Sequence, residues 1–214
     1  MRKDVLEALK KLRQEKKRNF SQTIDLIINV KDLDLKKTEN QIDAFITLPH
    51  AFKKRKVCAL IGPESLEDAK KICDEVILKE DFKQYAKDKK LIKKLVKNFD
   101  FFIAQADVMV NVASAFGKVL GPKGKMPNPK AGAVFPPKTP IKPIYDKLQR
   151  MVQLRIKTVL TAQLPVSTEA MKDEEIADNI ISIYDYLMHH LPNEEKNIKS
   201  VFVKLTMSKP LRIK

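Results

Sequence analysis

Cysteine, tryptophan, histidine and glycine are all scarce in this chain. Its 214 residues include 2 Cys, 5 Gly, 3 His and no Trp. Cys58 and Cys73 stand alone rather than in a C-x-x-C pair, which argues against a disulfide framework and against a zinc site. We therefore expect two buried thiols in a protein of the reducing cytoplasm, with no metal and no other cofactor.

Long apolar runs are missing as well. No stretch approaches the roughly 18 uninterrupted apolar residues of a membrane-spanning helix. The opening stretch MRKDVLEALKKLRQ carries charges throughout and lacks the apolar centre of a signal peptide. We therefore predict a protein without a membrane partner.

Catalytic motifs are also absent from the sequence. It holds no G-x-S-x-G, H-E-x-x-H or G-x-G-x-x-G pattern. His50 stands at a predicted crossing between two domains, and His189 and His190 end a predicted helix, where a cation favours the helix dipole. The sequence therefore predicts a protein that is not an enzyme.

One basic loop, GKVLGPKGKMPNPKAG at 117–132, superficially resembles a phosphate-binding loop. That motif needs a glycine five positions before its Gly-Lys pair, and Ser or Thr after the lysine. Here Val119 takes the first position and Met126 follows Lys125. Three prolines also prevent a helix from starting within the loop. We therefore predict a stiff, extended, basic loop without a nucleoside triphosphate site.

What the chain has in excess is positive charge. Its 42 Lys and Arg against 27 Asp and Glu give a formal net charge of +15. Such a domain attracts polyanions, most commonly nucleic acid, whereas heat adaptation enriches Glu alongside Lys and leaves the balance nearer zero. RNA is favoured over DNA because no helix-turn-helix, zinc finger or basic zipper is visible. Cations able to contact phosphates are Arg55 and the lysines at 36, 37, 53, 54, 56, 83, 87, 89, 90, 93, 94 and 97.

Hydrophobic patterning divides the chain into three parts. An amphipathic helix over 4–17 precedes two alternating segments, 23–30 and 41–48, which predict an antiparallel hairpin. Continuous apolar runs then alternate with helical patterns, which predicts a parallel sheet covered on both faces. These runs lie at 56–62, 75–78 and 100–105, and the helices at 66–73, 81–98, 106–116 and 141–150.

Alternation returns after residue 151. A strand over 151–160, a helix starting near the acidic KDEE and a closing strand over 200–207 complete the chain. The simplest fold is an insertion that combines α/β and α+β classes. Residues 1–51 and 151–214 form a discontinuous α+β domain with a split β-α-β-like antiparallel sheet, and 52–150 form an inserted Rossmann-like parallel-sheet domain. The chain crosses twice between the domains, so a hinge is expected.

Four stretches resemble the ribosomal protein L-one family in its archaeal form. LGPKGKMPNPKAG is similar to the family's hallmark loop, and RNFSQTIDL, NFDFFIAQAD and VKLTMSKP are similar to its opening, middle-domain and closing strands. The resemblance runs in order along nearly the whole chain. It implies a discontinuous first domain that carries an inserted Rossmann-like second domain.

The resemblance also implies a function. Members are structural constituents of the large ribosomal subunit and bind folded rRNA, mostly through the first domain, at the mobile stalk beside the tRNA exit site. They assist tRNA release, and many repress translation by binding their own mRNA. The implied partners are large-subunit rRNA, exit-site tRNA and the protein's own mRNA, for a cytoplasmic protein that is a monomer when free.

Motif matching places an RNA-facing cluster on the first and last strands. Its expected members are Phe20, Thr23, Asp25, Thr206, Met207 and Ser208. Cations expected to add attraction for phosphates are Lys36, Lys37, Lys53, Lys54, Arg155, Lys157 and Lys204. Asp25 either accepts a hydrogen bond from RNA or is a solvent-facing carboxylate beside a lysine. The family usually has glycine at the position of Ser208, whose side chain either disturbs a close backbone contact or adds a hydrogen bond.

Some alternatives stay open on the sequence alone. The 117–132 loop either makes secondary contacts through Lys118, Lys123, Lys125 and Lys130 or has a rigid structural role. The lysines at 83–97 either contact RNA or form a solvated helix face. The other functions compatible with the sequence are an RNA-processing or RNA-modifying enzyme that uses the α/β domain, and a general binder of polyanions or membrane surfaces.

Overall fold

A computed structural model describes residues 1–16, 18–137 and 139–214, with the side chain of residue 89 left out. The chain forms two compact units, Met1–Lys53 with Arg150–Lys214 and Lys54–Gln149. We call them the split unit and the inserted unit. The first holds an antiparallel sheet and the second a parallel one, so the predicted fold class is confirmed.

The helices and strands follow one another along the chain in three groups. The split unit begins with α1 (Arg2–Arg13), β1 (Thr23–Val30) and β2 (Ile42–Thr47). The inserted unit contains β3 (Val57–Ile61), α2 (Leu66–Ile72), β4 (Glu75–Leu78), α3 (Phe82–Lys87), α4 (Lys89–Asn98), β5 (Phe101–Gln105), α5 (Met109–Leu120), β6 (Val134–Phe135) and α6 (Ile141–Gln149). The split unit resumes with β7 (Met151–Ile156), β8 (Thr161–Thr168), α7 (Asp173–His190), β9 (Ile198–Leu205) and β10 (Leu211–Arg212).

The sheet of the split unit has the strand order β10-β9-β1-β8. Every second residue of β1, from Ile24 to Val30, is buried, and these side chains share one apolar core with α1 and α7. The intervening residues of β1 are half-buried on the opposite face. Period-two alternation thus gives the sheet one covered face and one open face.

The predicted hairpin between β1 and β2 is wrong. β1 lies between β9 and β8, and β2 pairs antiparallel with β7 from Ile42 opposite Ile156 to Thr47 opposite Met151. The chain turns away at the end of β1 because Asn197 holds Lys31: Lys31 N donates to Asn197 O at 2.8 Å, and Asn197 Nδ2 donates to Lys31 O at 3.0 Å. Alternation identifies a strand but not its partner.

Strand β8 was not predicted, because Pro165 interrupts its pattern. The strand lies at the edge of the sheet, and its pairing with β1 shifts register at Asp25, which faces Pro165 while Ile24 faces Ser167. An edge position and a bulge are the places where a sheet tolerates proline, which has no N–H to donate. The apolar residues Ala162, Leu164 and Val166 are buried all the same.

Several predicted boundaries also differ from the structure. Helix α1 ends at Arg13, and residue 17, where the predicted helix ended, lies outside the described residues. The single helix predicted over 81–98 is two helices, α3 and α4. The backbone of Asp88 is extended between them, and its side chain accepts a hydrogen bond from Lys90 N at 2.8 Å as the N-cap of α4.

The inserted unit has the parallel order β4-β3-β5-β6, with β3 fully buried. Open sheets of this kind take ligands at the carboxyl ends of the strands where the order reverses, here between β3 and β5. Gly62 follows β3, and its N–H donates to Oε1 of Gln105, the last residue of β5, at 3.0 Å. Gln105 is only 3% exposed. Its side-chain amide therefore occupies the Gly62 N–H, which a ligand would otherwise use.

The 117–132 loop is not extended as predicted: residues 117–120 belong to α5, Gly124 N donates to Gly121 O at 2.9 Å, and Pro129–Ala131 form a 3-10 helix. Gly124 and Gly132 have φ of 67° and 71°, a region that disfavours side chains. Lys125 Nζ donates to the carbonyls of Val96 and Phe99 at 2.8 and 2.6 Å. These carbonyls belong to the C-terminal end of α4, where a cation is favoured. The structure thus gives Lys125 a role in capping α4.

Buried Asn179 joins three segments of the split unit. From α7, its Nδ2 donates to Val166 O at 2.9 Å and to His50 O at 3.1 Å, and its Oδ1 accepts from His50 N at 3.0 Å. The residue has no solvent exposure. The amide therefore satisfies backbone groups of β8 and of the segment after β2 that would otherwise be buried without partners.

We expect Asn179→Ala to lower the free energy of unfolding of the split unit by about 2–4 kcal/mol, because it leaves these backbone groups unpaired. The urea midpoint measures the change. Asn98→Ala, at an exposed position, is the matched control and should change it by less than about 0.5 kcal/mol. Equal midpoints for the two variants would show that the Asn179 network is not a stabilising one.

We expect Lys125→Met to destabilise the inserted unit by about 1 kcal/mol, since the end of α4 loses its capping cation. Lys123→Met removes the same charge from an exposed neighbour and should leave stability unchanged. Amide hydrogen exchange in α4 is the measurement. Faster exchange in both variants alike would mean that loop charge, not the cap, stabilises the helix.

Candidate nucleic-acid interface

The pairing of β1 with β9 joins the first and last strands that the sequence singled out. Asp25 lies opposite Lys204, and Ile24 lies opposite Leu205. Just beyond β9, Thr206 N donates to Thr23 O at 3.1 Å, and Thr206 Oγ1 lies 3.2 Å from both Thr23 N and Thr23 O. We use the term β1–β9 surface for Phe20, Thr23, Asp25, Lys204, Thr206, Met207 and Ser208.

Residues 206–208 form a turn, not the end of the strand that the sequence predicted. Ser208 closes this turn: its Oγ accepts from Leu205 N at 2.8 Å, and its N–H donates to Leu205 O at 3.1 Å. Positive φ among the described non-glycine residues occurs at Asp32 and Glu194, so Ser208 has an ordinary backbone conformation. Its hydroxyl is therefore used inside the turn.

Two large apolar side chains of the β1–β9 surface are exposed. Phe20 is 53% and Met207 59% exposed. A depression of about 500 Å³ lies beside Phe20, lined by Arg13, Arg18, Asn19, Phe20, Ser21, Glu169 and Ala170. An exposed aromatic ring next to cations is an arrangement suited to stacking an unpaired RNA base.

Gln22 is a residue that the sequence analysis did not single out. It is 3% exposed, its Oε1 accepts from Met207 N at 3.2 Å, and its carbonyl accepts from Glu169 N at 2.9 Å. It therefore ties the 206–208 turn to the segment after β8. The sequence does contain a clue to Gln22. It stands two residues before Ile24, so it continues the alternation of the buried face of β1 as a polar residue.

Asp25 is half-buried on the open face of the sheet. Burial raises the pKa of its carboxyl group, and the charge of Lys204 and a hydrogen bond from Gln163 act in the opposite direction. The carboxylate thus has two partners at once, the lysine across on β9 and the amide on β8.

Arg155 lies in β7 of the β2–β7 ribbon, and Lys157 directly follows that strand, so neither lies on the sheet that contains β1. Lys157 Nζ lies 2.7 Å and Arg155 Nη2 3.7 Å from Asp43 Oδ2, and Gln153 Nε2 donates to Oδ1 at 2.8 Å. Burial opposes ionisation of Asp43, but hydrogen bonds from Lys157 and Gln153 outweigh it and lower the pKa. This carboxylate therefore offsets part of the positive charge of the ribbon.

The other predicted cations lie at different places. Lys36 and Lys37 belong to the segment that follows the C-terminal end of β1, whereas Thr23 is the first residue of that strand. Lys53 directly follows Phe52, whose carbonyl lies 3.5 Å from Oγ1 of Thr168, the residue opposite Thr23 on β8. Lys54 is the first residue of the inserted unit.

The four lysines of the basic loop region all lie in the inserted unit. Lys118, Lys123 and Lys130 are exposed, whereas Lys125 is half-buried and caps α4. A groove of about 800 Å³ contains three of the four in its lining, together with α4: Lys93, Val96, Lys97, Lys118, Val119, Pro122, Lys123 and Lys125. The loop thus combines a structural lysine with lysines that face solvent.

Cys58 is buried as predicted, whereas Cys73 is half-buried, and neither thiol is in a reactive environment. Burial raises the pKa of both thiols, that of Cys73 to about 11 and that of Cys58 further, so both are protonated at neutral pH. Within the described ranges, the structure holds no group of three or more His, Cys, Asp or Glu arranged to bind a metal ion. A helix with the length and apolarity to cross a membrane is likewise absent from the described residues.

Comparison with known proteins gives a consistent result. Residues 11–209 match the model of the Ribosomal protein L1p/L10e family. The chain is 40% identical over 213 residues to the large ribosomal subunit protein uL1 of Nanoarchaeum equitans, covering 97% of this chain and 98% of the relative. It is 37% identical over 216 residues to the protein of that name from Methanobrevibacter smithii, with both chains covered fully, and 35% identical over 215 residues to that of Thermococcus kodakarensis. The resemblance found in the sequence is confirmed, and the chain belongs to the Ribosomal protein L1p/L10e family.

Proposed function

We propose that this protein is a structural constituent of the large ribosomal subunit that binds large-subunit rRNA through the β1–β9 surface. The observation that carries the proposal is the hydrogen-bonded junction of Thr23 and Thr206, which assembles polar groups and the exposed Phe20 and Met207 where β1 begins and β9 ends. A rigid surface of this kind suits folded RNA, whose recognition depends on shape, 2′-hydroxyls and unstacked bases. Membership of the family and relatives named as large-subunit proteins support it.

Charge and specificity have different sources in this proposal. A formal charge of +15 attracts any RNA, and Lys36, Lys37, Lys53, Lys54 and the cations of the β2–β7 ribbon supply phosphate contacts. The short polar groups of the β1–β9 surface select the cognate fold. In the inserted unit, Lys118, Lys123 and Lys130 make secondary contacts with RNA, while Lys125 caps α4.

The finer assignment follows the family resemblance. The protein acts at the mobile stalk beside the tRNA exit site, assists tRNA release and represses translation by binding its own mRNA. It does so as a cytoplasmic protein, a monomer when free, without catalysis. The raised pKa values of both thiols and the Gln105 amide that occupies the Gly62 N–H support a non-enzymatic inserted unit.

We expect Thr206→Val to weaken binding to a transcript of the organism's large-subunit rRNA by roughly 1–3 kcal/mol, because the isosteric side chain cannot join Thr23 to the turn. Thr206→Ser keeps the hydroxyl and should bind like the wild type. Met207→Ala should lose a similar amount. Filter-binding titrations measure all three, with random RNA of equal length as the non-specific reference and Lys94→Ala as a control in the inserted unit.

Equal affinities of Thr206→Val and Thr206→Ser would contradict the proposed interface. A loss at Lys94→Ala as large as at Thr206→Val would move the binding face to the inserted unit. The salt dependence gives a further check: log K should fall with log salt by about 0.7–0.9 per phosphate contacted. A salt-independent affinity is incompatible with phosphate contacts.

We expect Asp25→Asn to stabilise the folded protein slightly at pH 7 and to weaken rRNA binding. The raised pKa of Asp25 means that the folded protein binds the proton of this carboxyl group more tightly than the unfolded chain does. The contribution of Asp25 to the free energy of unfolding is therefore highest at low pH and decreases as the pH rises through the folded-state pKa. The neutral amide of the Asp25→Asn variant avoids the cost of burying a charge. The attraction to Lys204, which the variant loses, offsets part of this gain. Urea titrations from pH 3 to pH 7 should show the two proteins converging at the acid end; a gap that widens as pH falls contradicts the sign.

A further inference from the structure

Gln22 carries a hydrogen-bonding group that the fold of the protein does not use. Its Oε1, carbonyl and N–H are bonded, to Met207 N, Glu169 N and Glu169 Oε2 respectively. Its Nε2 has no hydrogen-bond partner in the part of the chain that the structure describes. The side-chain amide thus uses its acceptor but not its donors, even though only 3% of the residue is exposed to solvent.

The orientation of this amide is determined by the protein. Met207 N is a donor and needs an acceptor, so the carbonyl end of the amide must face it and the –NH₂ end must face away. Among the described residues, Ser167 Oγ is the one side-chain polar atom that is both fully buried and without a hydrogen-bond partner. Gln22 Nε2 also lacks a partner, so it is not fully buried and must have a small contact with solvent. The N–H donors of this nearly buried side chain therefore have limited access to solvent.

In the free protein this donor depends on the little water that reaches it, and a bound acceptor would complete its hydrogen bonding. A buried amide without its hydrogen bonds loses roughly 1–3 kcal/mol, and proteins retain few such groups without a functional reason. Its neighbours are the exposed Phe20 two residues earlier and the exposed Met207 that it holds. RNA offers acceptors at its 2′-hydroxyls, phosphates and base edges.

We propose that Gln22 is a specificity-determining residue that donates a hydrogen bond from Nε2 to an acceptor atom of the bound RNA, while its Oε1 fixes the Met207 turn. The inference rests on the proposed function and adds a contact to the β1–β9 surface. The segment 169–173 holds the backbone of Gln22, since Glu169 N donates to Gln22 O at 2.9 Å. Arg13 holds this segment through Glu169 O at 3.1 Å, Met171 O at 2.5 Å and Asp173 Oδ1 at 2.6 Å.

The test exchanges two side chains so that charge is conserved. Gln22→Glu keeps an oxygen for Met207 N and removes the –NH₂ donor, and Glu169→Gln in the same chain restores the net charge. We expect this double variant to bind the large-subunit rRNA transcript about 10- to 100-fold more weakly than the wild type, with unchanged affinity for random RNA. Glu169→Gln alone is the background control, and Gln84→Glu, exposed in the inserted unit, is the control for Gln-to-Glu exchange. Gln84→Glu should bind within about twofold of the wild type. The double variant is also compared with Glu169→Gln alone, because Glu169 lines the depression beside Phe20 and its change of charge must be subtracted.

Hydrogen exchange of the Met207 amide separates donation from positioning. If Nε2 reads RNA, the double variant loses affinity while Met207 N–H stays protected, because the carboxylate still accepts from it. Loss of that protection together with affinity would reduce Gln22 to a positioning residue and overturn the proposal. Wild-type affinity of the double variant, when Thr206→Val binds weakly, would also overturn it. Wild-type affinity of Thr206→Val would instead reject the β1–β9 surface itself.

Discussion

The antiparallel pairing of β1 with β9 is the interaction on which the rest of the split unit depends. It places Thr23 against Thr206 and Asp25 against Lys204, and it gives α1 and α7 a continuous apolar face to cover. Backbone hydrogen bonds set the register, so each polar group of the surface has a fixed position before any ligand arrives. Pre-organisation of this kind reduces the entropy that binding must overcome.

The sequence was informative wherever local periodicity decides the outcome. The alternation in β1, the apolar run of β3 and the stripe of Ile176, Ile180 and Ile183 on α7 each identified an element and its buried face. Partner choice was beyond reach for β2, since alternation does not distinguish β1 from β7 as a neighbour. Pro165 concealed β8, because the bulge that accommodates it exists only in the assembled sheet.

The proposed site shows the same division. Motif resemblance selected Thr23, Thr206 and Met207, which the structure brings together, and composition selected the cations, which it distributes over two units. Gln22 escaped notice because its importance comes from Met207 and Glu169, both more than 140 residues away along the chain. The sequence left the loop of Lys125 open between secondary contacts and a structural role, because the carbonyls at the end of α4 that Lys125 binds are visible only in three dimensions.

The strand order of the split unit determines when its sheet can form during translation. β1 leaves the ribosome early, yet both strands that flank it, β8 and β9, are made only after the whole inserted unit. At translation rates of 5–20 residues per second, the interval between residues 30 and 198 is roughly 10–30 s. During that time the nascent chain can complete its parallel sheet but not its antiparallel one. The β1–β9 surface is therefore completed at the last step of translation. Under the proposed function, an unfinished chain cannot compete with finished protein for the rRNA site.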